Sequence, residues 1–402
     1  MSISLTHWHY ALLLGYNLGM PDSIAPLNPP TRLLCGPGPS NVHPKVLEAM
    51  QAPMLGHLDP HFHEILEQLV ELLKLAYRRE DGLTLALSAT GTSGMEAGLA
   101  SLTEPGDTVI VAVAGFFGAR IVEIARRHGA NVVEVAVELG QAVPNEMILE
   151  ALDQHPETGL VAVVHAETST GVRHPVAELA EAMRGSKALL MADCVTSLGG
   201  IELDAGQWGL DYCYSCSQKC LGAPPGLSPV SLSERALERI ARRSTPAPYS
   251  FDFELLRKYW IDRPAVYHHT VPILQYYALY EALRLTLEEG LERRWRRHAA
   301  AGAHLQTGLR ARGFDLLADP AYQLPQLTAV RVPDGVDGKA IQARLLEEQG
   351  IEVGGGLGPT APPIWRVGLM GTNANIETAD RLLAAFDAVV ESRPAALTTG
   401  GN

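Results

Sequence analysis

LDYCYSCSQKCLGAPPG, residues 210–226, joins an apolar, aromatic-rich run to a turn of small residues and prolines. Residues 210–216 read as a buried strand that stops at Ser217-Gln218-Lys219, and residues 221–226 read as the turn that follows. A lysine at the end of a buried strand is costly to keep charged without a partner. Desolvation favours its neutral amine, the form that attacks a carbonyl. A lone strand-end lysine ordinarily snorkels to solvent. Here a second strand, residues 188–192, ends in Asp193, so one amine and one carboxylate fall at the ends of two strands.

Working outward, further strand-like runs occupy residues 84–87, 108–112, 132–137, 160–165 and 229–232. Helical stretches at 95–102, 119–127, 145–152 and 176–183 separate most of them, and 42–50 and 62–77 precede them. Short apolar strands alternating with helices predict an α/β domain with a mostly parallel, seven-stranded sheet covered on both faces. Ligands on such sheets bind at the carboxyl ends of the strands, where Asp193 and Lys219 lie. After about residue 270 the pattern changes. Residues 274–309 read as long helix broken near Gly290, followed by short strands at 328–332, 352–353 and 365–369 and a closing helix at 379–390. The expected organisation is an N-terminal extension (1–25), an extended Pro/Gly-rich arm (26–44), a large domain (45–275), a smaller α+β domain (276–392) and a frayed tail (393–402).

The strand at 84–87 runs into Ser88-Ala-Thr-Gly-Thr-Ser-Gly94 and then a helix. Strand, small-residue turn and helix start together aim free backbone N–H groups at an anion, and Thr90, Gly91 and Thr92 add hydroxyls and close backbone approach. The turn is neither a P-loop nor a G-x-G-x-x-G dinucleotide turn. The next strand ends in Ala114-Gly-Phe-Phe-Gly118, placing Phe116 or Phe117 where a flat ring could stack, and residues 165–171 bring three hydroxyls to the same rim. Arg366 stands in an apolar segment and needs an anion, either a ligand carboxylate in its bidentate fork or an internal acid. A reactive amine, a buried carboxylate and a phosphate turn are what pyridoxal phosphate asks of a protein.

Composition sets the limits. With 402 residues the chain exceeds one small core, and 47% hydrophobic with 19% charged residues is globular. A net charge of −13 opposes nucleic acid or anionic membrane as partner, and no apolar run is long enough for a membrane helix. The basic run 293–297 reads as a solvated helix face. Five cysteines, an odd number without a secretory signal, indicate a reducing, cytoplasmic setting. Cys213 and Cys216 have zinc-like spacing but no second ligand pair, so no metal is expected. Residues 1–19 lack a basic n-region and a cleavage site and read as an extension outside the fold.

The stretches GPGPSN (36–41), HAETSTGV (165–172), ADCVTSLGG (192–200), SCSQKCLGAPPG (215–226), YHHT (267–270), GGGLG (354–358) and WRVGLMG (365–371) occur in this order. By them the chain resembles the class V aminotransferases of fold type I, and among these the alanine–glyoxylate/serine–pyruvate aminotransferase group, over residues 27–390. The resemblance implies that Lys219 is the Schiff-base lysine and Asp193 the partner of the pyridine nitrogen. It places Thr90, Gly91 and Thr92 at the cofactor phosphate, with Gln218 beside it, although mammalian members of the group read SGH at the turn and this chain reads TGT. Thr168 would contact the cofactor ring. Phe117 falls where the family has a stacking tryptophan and offers a smaller face. Tyr267 and Thr270 would reach the phosphate of the neighbouring subunit's cofactor, which implies a homodimer with shared sites. Arg366 would bind the substrate carboxylate, and Gly38 would line the substrate site.

The function so implied is ping-pong transamination of alanine or serine with glyoxylate or pyruvate. Serine–glyoxylate, aminoethylphosphonate–pyruvate or another small-substrate transamination is the alternative within the family. A cysteine desulfurase is opposed by the lack of cysteine in residues 324–353, a dehydrogenase by the missing G-x-G-x-x-G. A non-catalytic interaction protein of this fold would be expected to have lost Lys219 or Asp193.

Overall fold

The computed structural model describes residues 25–359 and 361–390, so most of the expected extension (1–25) and the tail (393–402) lie outside the described residues. Met1–Arg32 form one unit, whose described residues 25–32 carry neither helix nor strand, and Leu33–Asn402 form the other.

In chain order the strands are β1 (Leu33–Leu34), β2 (Leu83–Leu87), β3 (Thr108–Val113), β4 (Asn131–Ala136), β5 (Leu160–Val164), β6 (Ala166–Glu167) and β7 (Val172–Arg173). They continue with β8 (Leu189–Asp193), β9 (Tyr212–Tyr214), β10 (Ser228–Leu232), β11 (Leu327–Arg331), β12 (Ile351–Glu352), β13 (Gly354–Gly355) and β14 (Ile364–Gly368). The helices are α1 (Pro44–Ala49), α2 (Pro60–Tyr77), α3 (Gly91–Leu102), α4 (Phe116–Arg127), α5 (Asn145–Gln154) and α6 (Val176–Ala182). After them come α7 (Glu234–Ala241), α8 (Phe253–Trp260), α9 (Ile273–Glu289), α10 (Leu291–Ala311), α11 (Gly338–Gln349) and α12 (Ile376–Val390).

Seven strands make the main sheet in the order β2-β10-β9-β8-β5-β3-β4, and only β10 runs against its neighbours. This is the mostly parallel α/β sheet that the alternating pattern predicts. Strands β5 and β8 are buried along their whole length because helices cover both faces, which is why they read as unbroken apolar runs. Edge strand β4 is partly exposed. A second apolar cluster, including Leu305, Leu345, Trp365 and Phe386, joins α10, α11 and α12 to the three-stranded sheet β11-β14-β13. The arm ties into this region: β1 pairs with β12, and Gly368 N–H donates to Cys35 O at 2.7 Å.

Three local expectations need correction. The strand expected over residues 210–216 is regular only at Tyr212–Tyr214, so Lys219 sits in a turn beyond the strand rather than at its last residue. Ser217 makes that turn, donating through its hydroxyl to Pro224 O at 2.6 Å. Helix α3 starts at Gly91, four residues before the expected position, with Thr90 as N-cap. The basic run 293–297 is not wholly solvated. Arg294 is buried and donates to Gly199 O, Cys220 O and Glu289, while Arg297 grips Glu289 and the carbonyls of Gly371 and Ala374. Helix periodicity turns these two inward, and one carboxylate satisfies both charges.

Candidate active site

Parallel strands bring their carboxyl ends to one side of the sheet, and the loops that leave them enclose a cavity of about 190 Å³. Thr90, Gly91, Thr92, Phe117, Thr168, Asp193, Gln218 and Lys219 all line it.

Asp193 ends β8 and is buried. Its Oδ2 accepts from the Tyr214 hydroxyl at 2.6 Å and its Oδ1 from Val195 N–H at 2.8 Å. Burial raises its pKa to about 6, against those two hydrogen bonds and the nearby charge of Lys219, which lower it. Tyr214 had no signal in the sequence beyond ending the adjacent strand; the β8–β9 register sets it directly opposite Asp193.

Lys219 Nζ donates to Pro37 O. Burial lowers its pKa, and the Arg366 charge pushes the same way, so the amine is neutral more readily than one in water. The arm is fixed to this turn by Ser40, whose N–H donates to Gln218 O at 2.9 Å and whose hydroxyl donates to Lys219 O at 2.9 Å. Gly38 has φ +107°, and a Cβ there would fall on the end of the Lys219 side chain. The backbone at Gly38 therefore lies against the amine as only glycine permits.

Helix α3 begins in the wall of the same cavity. The first-turn N–H groups of a helix lack intrahelical acceptors, so those of Gly91, Thr92 and Ser93 are available to an anion. A Cβ on Gly91 would press on Val195 Cγ2 at 3.1 Å and Cys216 Cβ at 3.2 Å, so the helix start packs directly against the β8 and β9 loops.

Phe117 is aimed by its helix terminus. Buried Glu167 accepts at Oε2 from Phe117 N–H (3.1 Å) and Gly118 N–H (3.2 Å), and at Oε1 from Ser169 N–H and its hydroxyl. Phe116 N–H donates to Ser169 Oγ at 2.9 Å. Together Glu167 and Ser169 cap α4 from outside. Burial raises the Glu167 pKa, and the four hydrogen bonds oppose that rise. Sequence reading passed over Glu167, which looks like one polar residue in a hydroxyl-rich turn.

Arg366 does not line the cavity. It is buried on β14, and Nε, donating to Gly355 O at 2.6 Å, makes the only hydrogen bond of its side chain among the described residues. Among the described residues neither guanidinium NH2 group is hydrogen-bonded to an acid. Tyr267 and Thr270 also lie apart from the cavity: Tyr267 is 54% exposed and its hydroxyl is 3.5 Å from Thr270 Oγ1. The intervening His269 ties their segment to the turn before α3, its Nε2 lying 2.7 Å from Ser88 Oγ.

The donor set fits pyridoxal phosphate. It offers an amine for an aldehyde, a carboxylate for a pyridine nitrogen, a helix start for a phosphate and an aromatic face for a ring. Gln218 Oε1, buried without a hydrogen-bond partner among the described residues, is a further polar atom of this wall.

The profile of the Aminotransferase class-V family matches residues 33–372. The chain is 39% identical to alanine–glyoxylate aminotransferase of Callithrix jacchus over 92% of this chain and 90% of that protein. The crystal structure of an alanine–glyoxylate aminotransferase from Nostoc sp. superposes with a TM-score of 0.89 at 48% identity, covering 92% of this chain and 97% of that one. The ureidoglycine–glyoxylate aminotransferase of Bacillus subtilis gives a TM-score of 0.89 at 37% identity, covering 94% and 97%.

Proposed function

Because the chain belongs to the class-V aminotransferase family, we propose that it moves the amino group of alanine or serine to glyoxylate or pyruvate, using pyridoxal phosphate in a ping-pong cycle. One observation carries the reading: a desolvated lysine amine and a buried carboxylate face one cavity with a helix start in its wall. Glyoxylate is the favoured acceptor, since both the alanine–glyoxylate and the ureidoglycine–glyoxylate relatives carry it in their names.

Pyridoxal phosphate supplies an aldehyde that takes up the amino group and a protonated ring that accepts the electrons left at the substrate Cα. The chain's residues do the rest. Lys219 Nζ, whose neutral form burial favours, would take the proton from the substrate Cα and deliver it to C4′ of the cofactor. Asp193 is held where burial makes its negative charge expensive, so it favours a positively charged ring nitrogen as partner. Tyr214 and Val195 fix the carboxylate's orientation. Thr90, Gly91 and Thr92 hold the phosphate with Gln218 beside it, Phe117 stacks on the ring and Thr168 contacts it. Arg366 takes the substrate carboxylate in its fork, and Gly38 leaves room for the substrate beside Lys219.

Exposed Tyr267 and Thr270 suit a homodimer in which each subunit's pair completes the other's phosphate site. In this reading residues 45–275 are the cofactor domain, 276–392 the small domain and 26–44 an extended N-terminal arm. Five free, buried cysteines favour a reducing, cytoplasmic setting. Among the described residues no helix is long and apolar enough to cross a membrane.

The test is the visible absorption of the purified protein. A cofactor band that L-alanine removes and glyoxylate restores establishes the reaction. A band indifferent to both L-alanine and L-serine moves the activity to another donor. A colourless protein that cannot be reconstituted with pyridoxal phosphate overturns the reading.

A further inference from the structure

We infer that Arg120 is a cofactor-phosphate residue, supplying the one permanent positive charge in the wall of the cavity. The inference deepens the reading of this cavity as a pyridoxal phosphate site and rests on it. Two cationic side chains line the cavity among the described residues, Arg120 and Lys219. Lys219 is the nitrogen that reacts, and burial favours its uncharged form. An arginine guanidinium is a permanent cation.

Charge arithmetic makes such a residue necessary. A phosphate monoester carries about −1.5 to −2 near neutral pH. The start of α3 presents the equivalent of roughly half a positive charge. Thr90, Thr92, Tyr267 and Thr270 contribute neutral hydroxyls, so at least one full cation is still needed.

Arg120 is placed to be that cation. It lies one turn past Phe117 on α4, on the same helix face. Its Nη1 donates to Thr92 Oγ1 at 3.1 Å, which fixes the guanidinium beside the first turn of α3. The guanidinium carbon lies 4.9 Å from the Phe116 ring centre and 5.0 Å from that of Phe117, and the two rings meet edge to face at 5.6 Å. Two aromatic faces thus hold the planar group without using its N–H donors. The bond to Thr92 is its only hydrogen bond, and it has no carboxylate partner, among the described residues. A half-buried arginine that is oriented, lines a cavity and lacks an acid is an anion receptor rather than a structural ion pair.

The experiment titrates apoenzyme with pyridoxal phosphate and, separately, with pyridoxal, following the visible band. Arg120→Gln should weaken pyridoxal phosphate at least roughly tenfold, the loss of a charge-assisted bond, and leave pyridoxal within about twofold of wild type. Equal weakening of both ligands, or of neither, overturns the assignment. Arg120→Met keeps an apolar stem between the two phenyl rings and supplies the same comparison if the Gln variant does not fold. Wild-type apoenzyme that binds no pyridoxal phosphate overturns the cofactor reading and this inference with it, a result distinct from an insensitive Arg120 variant.

Discussion

Asp193→Asn in the apoprotein tests the electrostatic design of the site without any turnover. The wild-type carboxyl titrates near pH 6 instead of 3.8 because burial outweighs its bonds from Tyr214 and Val195. A raised folded-state pKa means that the stability this group contributes is fully present below pH 3.8 and is lost as pH rises through about 6. Two pKa units at about 1.36 kcal/mol each make the full loss about 3 kcal/mol. Linkage puts about 1.4 kcal/mol of it between about pH 5 and 7.5. The substituted asparagine has no charge to desolvate, and its carbonyl can still accept from Val195 N–H while its amide donates to the Tyr214 oxygen.

The assay is urea unfolding of both apoproteins at one fixed protein concentration, at several pH values. Stability of the Asp193→Asn variant relative to wild type should rise with pH by about 1.4 kcal/mol across that interval. Adding pyridoxal phosphate should reverse the order, because only the carboxylate can pair with a protonated ring. A difference that is flat in pH refutes the burial argument. A difference that falls with pH means that Lys219 stabilises the bare carboxylate as an ion pair, and the two groups are then not set apart for separate tasks.

Lys219→Ala should abolish turnover while still binding the cofactor noncovalently; normal steady-state transamination by this variant would sink Lys219 as the catalytic amine. Arg366→Ala should raise KM for every α-carboxylate substrate roughly tenfold or more, from the loss of charge-assisted bonds, and an unchanged KM would make Arg366 structural. Gly38→Ala should displace the Lys219 side chain, because the new Cβ overlaps it and φ is +107°. Borohydride reduction with cofactor followed by intact mass should add the cofactor's mass to wild type and not to the variant, and equal labelling would contradict the steric argument.

How much of this was legible in the sequence follows from what each feature depends on. The sheet was legible because burial on both faces forces unbroken apolar runs, and a parallel sheet sends all its strand ends one way. That single rule gathers Thr90, Phe117, Thr168, Asp193 and Lys219 at one cavity although up to 129 positions separate them along the chain, from 90 to 219. Tyr214 was not legible, since its partnership with Asp193 depends on the register between β8 and β9, which no local pattern encodes. Glu167 was hidden for the opposite reason: it resembles any loop acid until two N–H groups of α4 are seen to point at it.

Glycine misled most. Gly91 and Gly94 read as a turn, yet both are helical. A Cβ on Gly94 would strike Ser228 Oγ and come within 3.2 Å of Tyr214 Cβ, and one on Gly98 would meet the Tyr212 ring. These glycines let α3 lie close on β9 and β10, which moves its N-terminus into the cavity. A helix starting at Met95 would carry its unpaired N–H groups one turn further along, away from Thr90 and Gly91. The close packing of α3 and the position of the candidate phosphate site therefore have one cause. The sequence displays that cause only as an absence of side chains, and a turn of small residues displays the same absence.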